Sequence, residues 1–237
     1  MKRTAAIFLL LLFSGCAALE NVVRDFNLVS VSEEKEISDK MAKEISQKMN
    51  IVKDAQMNGR VNSIGERLLK VLPNKEFDYQ FFVIEDKTPN AFTIPGGKIY
   101  VHTGLLTFVD NDSELAGVLA HEIGHAAERH PVKNLSRAYG AGYLVSLLTG
   151  GDPNNQLKVM AINLATGSAL LKYSRSDELE ADEIGFELVC RSGSGTQGLP
   201  NFLKKLQSLQ TSGRQITFLS THPATADRIR RLEGMKC

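Results

Sequence analysis

Val61, Ile64, Leu68 and Val71 fall three or four residues apart, the spacing of one stripe along a helix. The pattern predicts a helix over 54–72, stopped by Pro73. Upstream, Ser30 and Glu33 have the spacing of a capping box and open a helix running to about residue 49. The period then changes. Tyr79, Phe81 and Val83 alternate in an aromatic and β-branched run that reads as a strand. Ala91–Ile94 and Lys98–His102 read as two more, joined by a turn at Pro95, Gly96 and Gly97. From Thr103 onward the pattern is helical only, over about 103–109, 112–130, 133–148, 156–172, 176–191, 198–211 and 224–233. A small three-stranded sheet followed by many helices is an α+β arrangement, not an alternating βαβ one. The apolar stretch 139–148 is too short to cross a bilayer and reads as a buried helix. Residues 193–198 read as a flexible connector within the domain.

The chain of 237 residues suits one domain with a sizeable core. Its 43% hydrophobic and 23% charged residues are ordinary for a folded protein and argue against disorder. With a net charge of +1 and no basic run interleaved with aromatics, nucleic acid is not an expected partner.

The N-terminus has its own pattern. Lys2 and Arg3 precede an apolar run over 5–13, followed by Ser14, Gly15 and Cys16, which reads as a secretory signal peptide over 1–15. The small residues ending in Cys16 resemble the lipobox of bacterial lipoproteins, with Phe13 where that motif usually has leucine. The resemblance implies lipidation of Cys16; a plain cut near Ala17 or Ala18 is the alternative. Each buried acyl methylene would contribute about 0.8 kcal/mol to a membrane anchor. Ala17 after the cysteine resembles lipoproteins sent to the outer membrane. The expected organisation is a signal peptide (1–15), a lipidated N-terminus and tether (16–29), and one domain (30–237). Without residues 1–15 the chain carries 26 basic and 27 acidic residues, a net of −1. In an oxidising periplasm Cys190 and Cys237 can pair; a buried Cys190 with a free Cys237 is the equal alternative.

The candidate chemistry centres on His121, Glu122, Ile123, Gly124 and His125, which spell HExxH in a helical stretch. Histidines four apart lie one turn above each other and can reach one metal ion, with the glutamate beside a bound water. A catalytic zinc needs a third protein ligand and an open position. The metzincin pattern would supply another histidine, but Glu128 stands in place of its glycine and Pro131 in place of its ligand. The third ligand is therefore expected from a distant helix. Glu178 and Asp182, four apart, share a helix face, whereas Glu180 is rotated by about 200° from Glu178. One carboxylate can bind the metal while the other orients a ligand imidazole; a solvated acidic face near a helix N-terminus is the open alternative. His102 and His130 read as structural residues rather than ligands.

HEIGH, then the stretch 174–182, then Thr221, His222 and Pro223 ahead of Arg228 and Ile229 resemble peptidase family M48. Asn90, Ala91 and Phe92 ahead of Pro95, Gly96 and Gly97 match a further stretch typical of that family. The likeness covers most of residues 30–233. The resemblance implies a zincin-like fold and a gluzincin centre: one zinc per chain, with His121, His125 and Glu178 as ligands and Glu122 as general base. Asp182 would stand behind a ligand, with His222 and Arg228 nearby and His222 as an oxyanion donor. Asn90, Ala91 and Phe92 would belong to an exposed edge strand that takes an extended substrate as an extra strand. The paired membrane spans of the membrane-embedded members and the C-terminal repeats of some periplasmic ones do not appear here.

Together these readings predict a lipid-anchored zinc endopeptidase, in the periplasm at the outer membrane, acting on unfolded or extended proteins in quality control. The rivals are a periplasmic chaperone or scaffold for outer-membrane assembly that rarely cuts, and a latent peptidase whose metal is capped by a side chain such as His222.

Overall fold

The computed structural model describes residues 29–140, 163, 172–211 and 216–237. The predicted signal peptide, Cys16, nearly all of the tether, most of 139–148 and nearly all of 156–172 lie outside the described residues.

Several predicted helix starts coincide with side-chain caps. Helix α1 (Val31–Lys48) opens on a capping box between Ser30 and Glu33, and α2 (Ala55–Leu69) on the Asp54 side chain. Strands β1 (Gln80–Ile84), β2 (Ala91–Ile94) and β3 (Lys98–His102) follow, and then α3 (Thr103–Phe108) and α4 (Asp112–Ala127), capped by Asn111. After them come α5 (His130–Tyr139), α6 (Arg175–Arg191), α7 (Gly198–Thr211), α8 (Thr217–Thr221) and α9 (Ala226–Gly234). A Ser174–Asp177 capping box starts α6, and Thr225 caps α9.

The strand order is β1-β3-β2, with β3 parallel to β1 and antiparallel to β2. Gly96 and Gly97 take φ of 79° and 83° in the β2–β3 turn, a region closed to most side chains. Period-two alternation divides the sheet into two apolar faces. Ala91, Ile99, Val101 and Val83 face the main core with α2 and α4; Phe92, Ile94, Tyr100 and Ile84 face α1 and α5. Helix α4 is buried without a break from Glu114 to Ala126, packed between the sheet, α2, α6 and α7. That explains its lack of a polar face.

Three expectations change. The helix expected over 112–130 breaks after Ala127, where Arg129 takes φ 57° and ψ 28° and His130 starts α5. The connector at 193–198 is not a free strap, since the Ser113 hydroxyl donates to the Gly195 carbonyl at 3.0 Å. The short α8 has no counterpart in the predicted helices. Cys190 and Cys237 are joined by a disulfide with a Cα–Cα distance of 5.6 Å, tying the C-terminus to the last turn of α6. No described helix is long and apolar enough to cross a membrane.

Candidate metal centre

Helices α4 and α6 cross closely because each carries a glycine at the contact. A β-carbon on Gly124 would come within 2.8 Å of the Ala181 carbonyl oxygen, and one on Gly185 within 3.0 Å of the His121 nitrogen. This approach brings Glu178 of α6 to the two histidines of α4. His121 Nε2 and His125 Nε2 lie 3.1 Å apart, and Glu178 oxygens lie 3.6 Å from the first and 3.4 Å from the second. Ligands about 2.0–2.1 Å from a tetrahedral ion stand roughly 3.3 Å from one another, so two imidazole nitrogens and a carboxylate at these separations, measured to Oε2 and Oε1 of Glu178 respectively, suit a zinc ion. His222, just after α8, places Nδ1 3.0 Å from Glu178 Oε1 and 3.3 Å from His121 Nε2. All four residues are buried, with one candidate ligand atom each within 4.8 Å of the others.

Behind these atoms lies a second layer of partners. His121 Nδ1 is 3.0 Å from Asp182 Oδ1. Arg228, only 1% exposed, donates from Nε and Nη2 to the two Asp182 oxygens at 2.7 Å each. Its Nη1 donates to Glu178 and to the Pro223 carbonyl. His125 Nδ1 lies 3.0 Å from His130 Nδ1, and His130 Nε2 lies 3.2 Å from Glu180. Tyr173 stacks on His125 at 4.0 Å between ring centres, and Phe218 on His222 at 4.6 Å.

Glu122 is buried beside the cluster. Thr93 of β2 donates its hydroxyl to Glu122 Oε2 at 2.7 Å and lies 3.1 Å from the Glu122 carbonyl oxygen. The other carboxylate oxygen, Oε1, has no hydrogen-bond partner among the described residues and sits 3.5 Å from His222 Nε2. A buried carboxylate oxygen left open beside a metal-sized cluster has the chemistry of a base awaiting a water.

The charges agree with ligation. Burial holds His125 well below the ordinary histidine pKa, which favours the neutral imidazole a metal requires. Burial alone would raise Glu178, but Arg228 and then His222 hold it well below the carboxylate range. Asp182 is likewise lowered, with Arg228 outweighing its burial. Burial would lower His222, yet the charges of Glu178 and Glu122 raise it.

The structure thus gathers His121, Glu122, His125, Glu178, Asp182, His222 and Arg228. Glu178 and Asp182 form no solvated acidic face: they are 2% and 1% exposed, while the Glu180 side chain is 43% exposed. The expected exposed edge needs correction. Strand β2 does end the strand order, but Asn90, Ala91 and Phe92 are 1%, 0% and 4% exposed, packed between α4 and α5. Both side-chain polar atoms of Asn90 are buried without a partner among the described residues. Thr93, His130 and Tyr173 went unread as site residues; the alternation of β2, which puts Thr93 on the face of Ala91, was a usable signal for the first. A cavity of about 460 Å³ lined by Leu72, Tyr79, Glu128, Arg129 and Ile184 contains none of the clustered residues.

A small sheet, a buried HExxH helix and a second helix bringing a carboxylate to it form a zincin-like fold. Residues 55–236 match the model of peptidase family M48, and the chain belongs to that family. It is 29% identical over 210 residues to the beta-barrel assembly-enhancing protease of Escherichia coli K12, covering 85% of this chain and 43% of that protein. It is 30% identical over 218 residues to the mitochondrial metalloendopeptidase OMA1 of Schizosaccharomyces pombe, covering 89% of this chain and 63% of that one. It is 29% identical over 186 residues to the metalloprotease YcaL of Escherichia coli K12, covering 75% and 72%. The chain therefore spans less than half the length of the beta-barrel assembly-enhancing protease it matches.

Proposed function

We propose that this chain is a zinc-dependent endopeptidase of the cell envelope that cuts unfolded or extended protein segments. The observation that carries the reading is the zinc-sized spacing of His121 Nε2, His125 Nε2 and the Glu178 carboxylate beside Oε1 of Glu122, which lacks a hydrogen-bond partner among the described residues. These three residues would hold one zinc ion, the gluzincin set. Bound there, zinc lowers the pKa of a coordinated water to about 7 and polarises a carbonyl oxygen.

The chain's own residues supply the rest. Glu122 takes the proton of the attacking water on Oε1 and returns it to the leaving nitrogen. Thr93 holds Oε2, so the carboxylate presents its other oxygen. Asp182 orients His121, and Arg228 holds Asp182 and Glu178 ionised. His222, near Glu122 and raised in pKa, donates to the oxyanion of the tetrahedral intermediate.

One observation favours a second reading. The convergence of His222 Nδ1 on Glu178 and His121 gives the set four protein ligands, which closes the position a catalytic site keeps open. On that reading the enzyme is latent, and His222→Ala raises cutting; an oxyanion donor predicts a fall instead.

Several features support the envelope. The N-terminal signal pattern precedes Cys16, the proposed site of a lipid anchor in the outer membrane. The Cys190–Cys237 disulfide suits an oxidising compartment. The bacterial relatives include beta-barrel assembly-enhancing proteases. A chaperone or scaffold for outer-membrane assembly is the alternative.

The test is cleavage of an unfolded protein by the zinc-loaded chain, beside Glu122→Gln at equal metal content. We expect cutting by the wild type and a loss of roughly 10²–10⁴-fold in the variant. Equal silence from both, with zinc bound, would favour the latent enzyme or the chaperone.

A further inference from the structure

The two histidines of α4 find different partners for their second ring nitrogens. His121 Nδ1 faces the Asp182 carboxylate, which can only accept while ionised. His125 Nδ1 faces another imidazole nitrogen, His130 Nδ1, at 3.0 Å. One of these two nitrogens must carry the proton and the other a lone pair. If His125 binds metal through Nε2, its proton is on Nδ1, and His130 must accept. His130 then carries its own proton on Nε2, the nitrogen 3.2 Å from Glu180 Oε2 and 3.7 Å from Asp177 Oδ1. Both neighbours are carboxylates, so the second bond has its acceptor. Arg137 in turn holds Asp177 by two hydrogen bonds, at 2.8 and 3.1 Å.

We propose that His130 is a positioning residue of the metal centre: its neutral imidazole accepts the Nδ1–H of His125 and holds the Nε2 lone pair of His125 toward Glu178 and His121. The inference rests on reading the cluster as a zinc site. No ligand role for His130 is involved, because one ring nitrogen faces Nδ1 of His125 and the other the carboxylate of Glu180.

The backbone is shaped to make this contact. On a straight helix His130 would stand about 140° around from His125 and could not face it. The left-handed turn at Arg129 swings it back. Arg129 is held there by donating from Nε to Glu34 at 2.6 Å and from Nη2 to the Val29 carbonyl at 2.7 Å. Glu34 also accepts the Gly96 N–H at 3.1 Å. The same α1 residue therefore fixes the turn that aims His130 and the loop that follows β2.

The test compares zinc affinity, by chelator competition, in the full chain and in His130→Phe and His130→Asn. Phenylalanine keeps the ring volume and loses the acceptor. Asparagine places its amide oxygen as many bonds from Cα as Nδ1 and can still accept. We expect His130→Phe to bind zinc about 10–100-fold more weakly and His130→Asn to stay within a few-fold of wild type. A merely structural role would destabilise the metal-free variants without separating them in affinity. A folded His130→Phe binding zinc as tightly as wild type would overturn the proposal. Nitrogen-resolved NMR of the zinc-loaded wild type decides the matter even if that variant does not fold: His130 protonated on Nε2 supports the proposal, and on Nδ1 ends it. Should the wild type bind no zinc, the metal reading falls with it; should only the Phe variant match wild type, His130 alone is misassigned.

Discussion

Gly124 of α4 rests on the backbone of Ala181 in α6, so closely that a β-carbon would stand 2.8 Å from the Ala181 carbonyl oxygen. That oxygen is main chain and cannot rotate away. Gly124→Ala should gain about 1 kcal/mol of helix propensity and lose about 1–3 kcal/mol to overpacking. We expect a net loss in urea unfolding and weaker zinc binding, because Glu178 is carried away from the histidines. A more stable variant with unchanged zinc affinity would contradict the close crossing.

Arg228 shares its charge between Glu178 and Asp182. Removing one partner of a buried ion cluster strands the others, at about 3–5 kcal/mol. Arg228→Ala should lose that much stability when unfolded in urea without metal. Arg228→Lys should recover little, since one ammonium cannot reproduce the fork on Asp182. Full recovery by lysine would show that charge alone, not the fork, matters here.

The bond between Cys190 and Cys237 spans 47 residues of sequence. Closing a loop of that length stabilises a fold by about 2–4 kcal/mol. Cys237→Ser should unfold at correspondingly lower urea, and dithiothreitol should bring the wild type to the same midpoint. A variant indistinguishable from the oxidised wild type would show the bond to be energetically idle.

Glu34 gives a pH dependence with a definite sign. Burial raises its pKa above the ordinary 4.5, against the opposing charge and hydrogen bond of Arg129. The folded state then holds the proton more tightly than the unfolded chain, so this contribution to stability is complete at low pH. It fades as pH rises above 4.5 and through the raised folded value. The stability of wild type minus that of Glu34→Gln should therefore fall over this range and then level off. A difference that grows with pH would mean that Arg129 outweighs burial.

The capped helix starts were legible because each such cap is written locally: Ser30 with Glu33 announces its own helix. The α+β class followed from where the period changes, and the strands at 91–94 and 98–102 from their glycine turn. Sheet order was not legible. That β1 runs parallel beside β3 depends on how distant segments pack, and no local pattern encodes it. At the cluster, the HExxH spacing speaks for itself, but the route of Glu178 to it depends on the paired glycines of α4 and α6. His130 is outside the ligand cluster, as its sequence context implies, but its contact with His125 was not legible. Its position follows from a left-handed arginine held by Glu34, 95 residues away, and helical periodicity carries no trace of that contact.

His222 and Arg228 both lie between Cys190 and Cys237, inside a covalent ring closed on the end of α6. A single backbone cut anywhere in that ring releases no fragment, since the disulfide still joins the two pieces. The chain can thus be nicked once there and keep Arg228 tethered to the helix bearing Glu178 and Asp182. Reduction of the one bond would turn the same nick into a loss of parts.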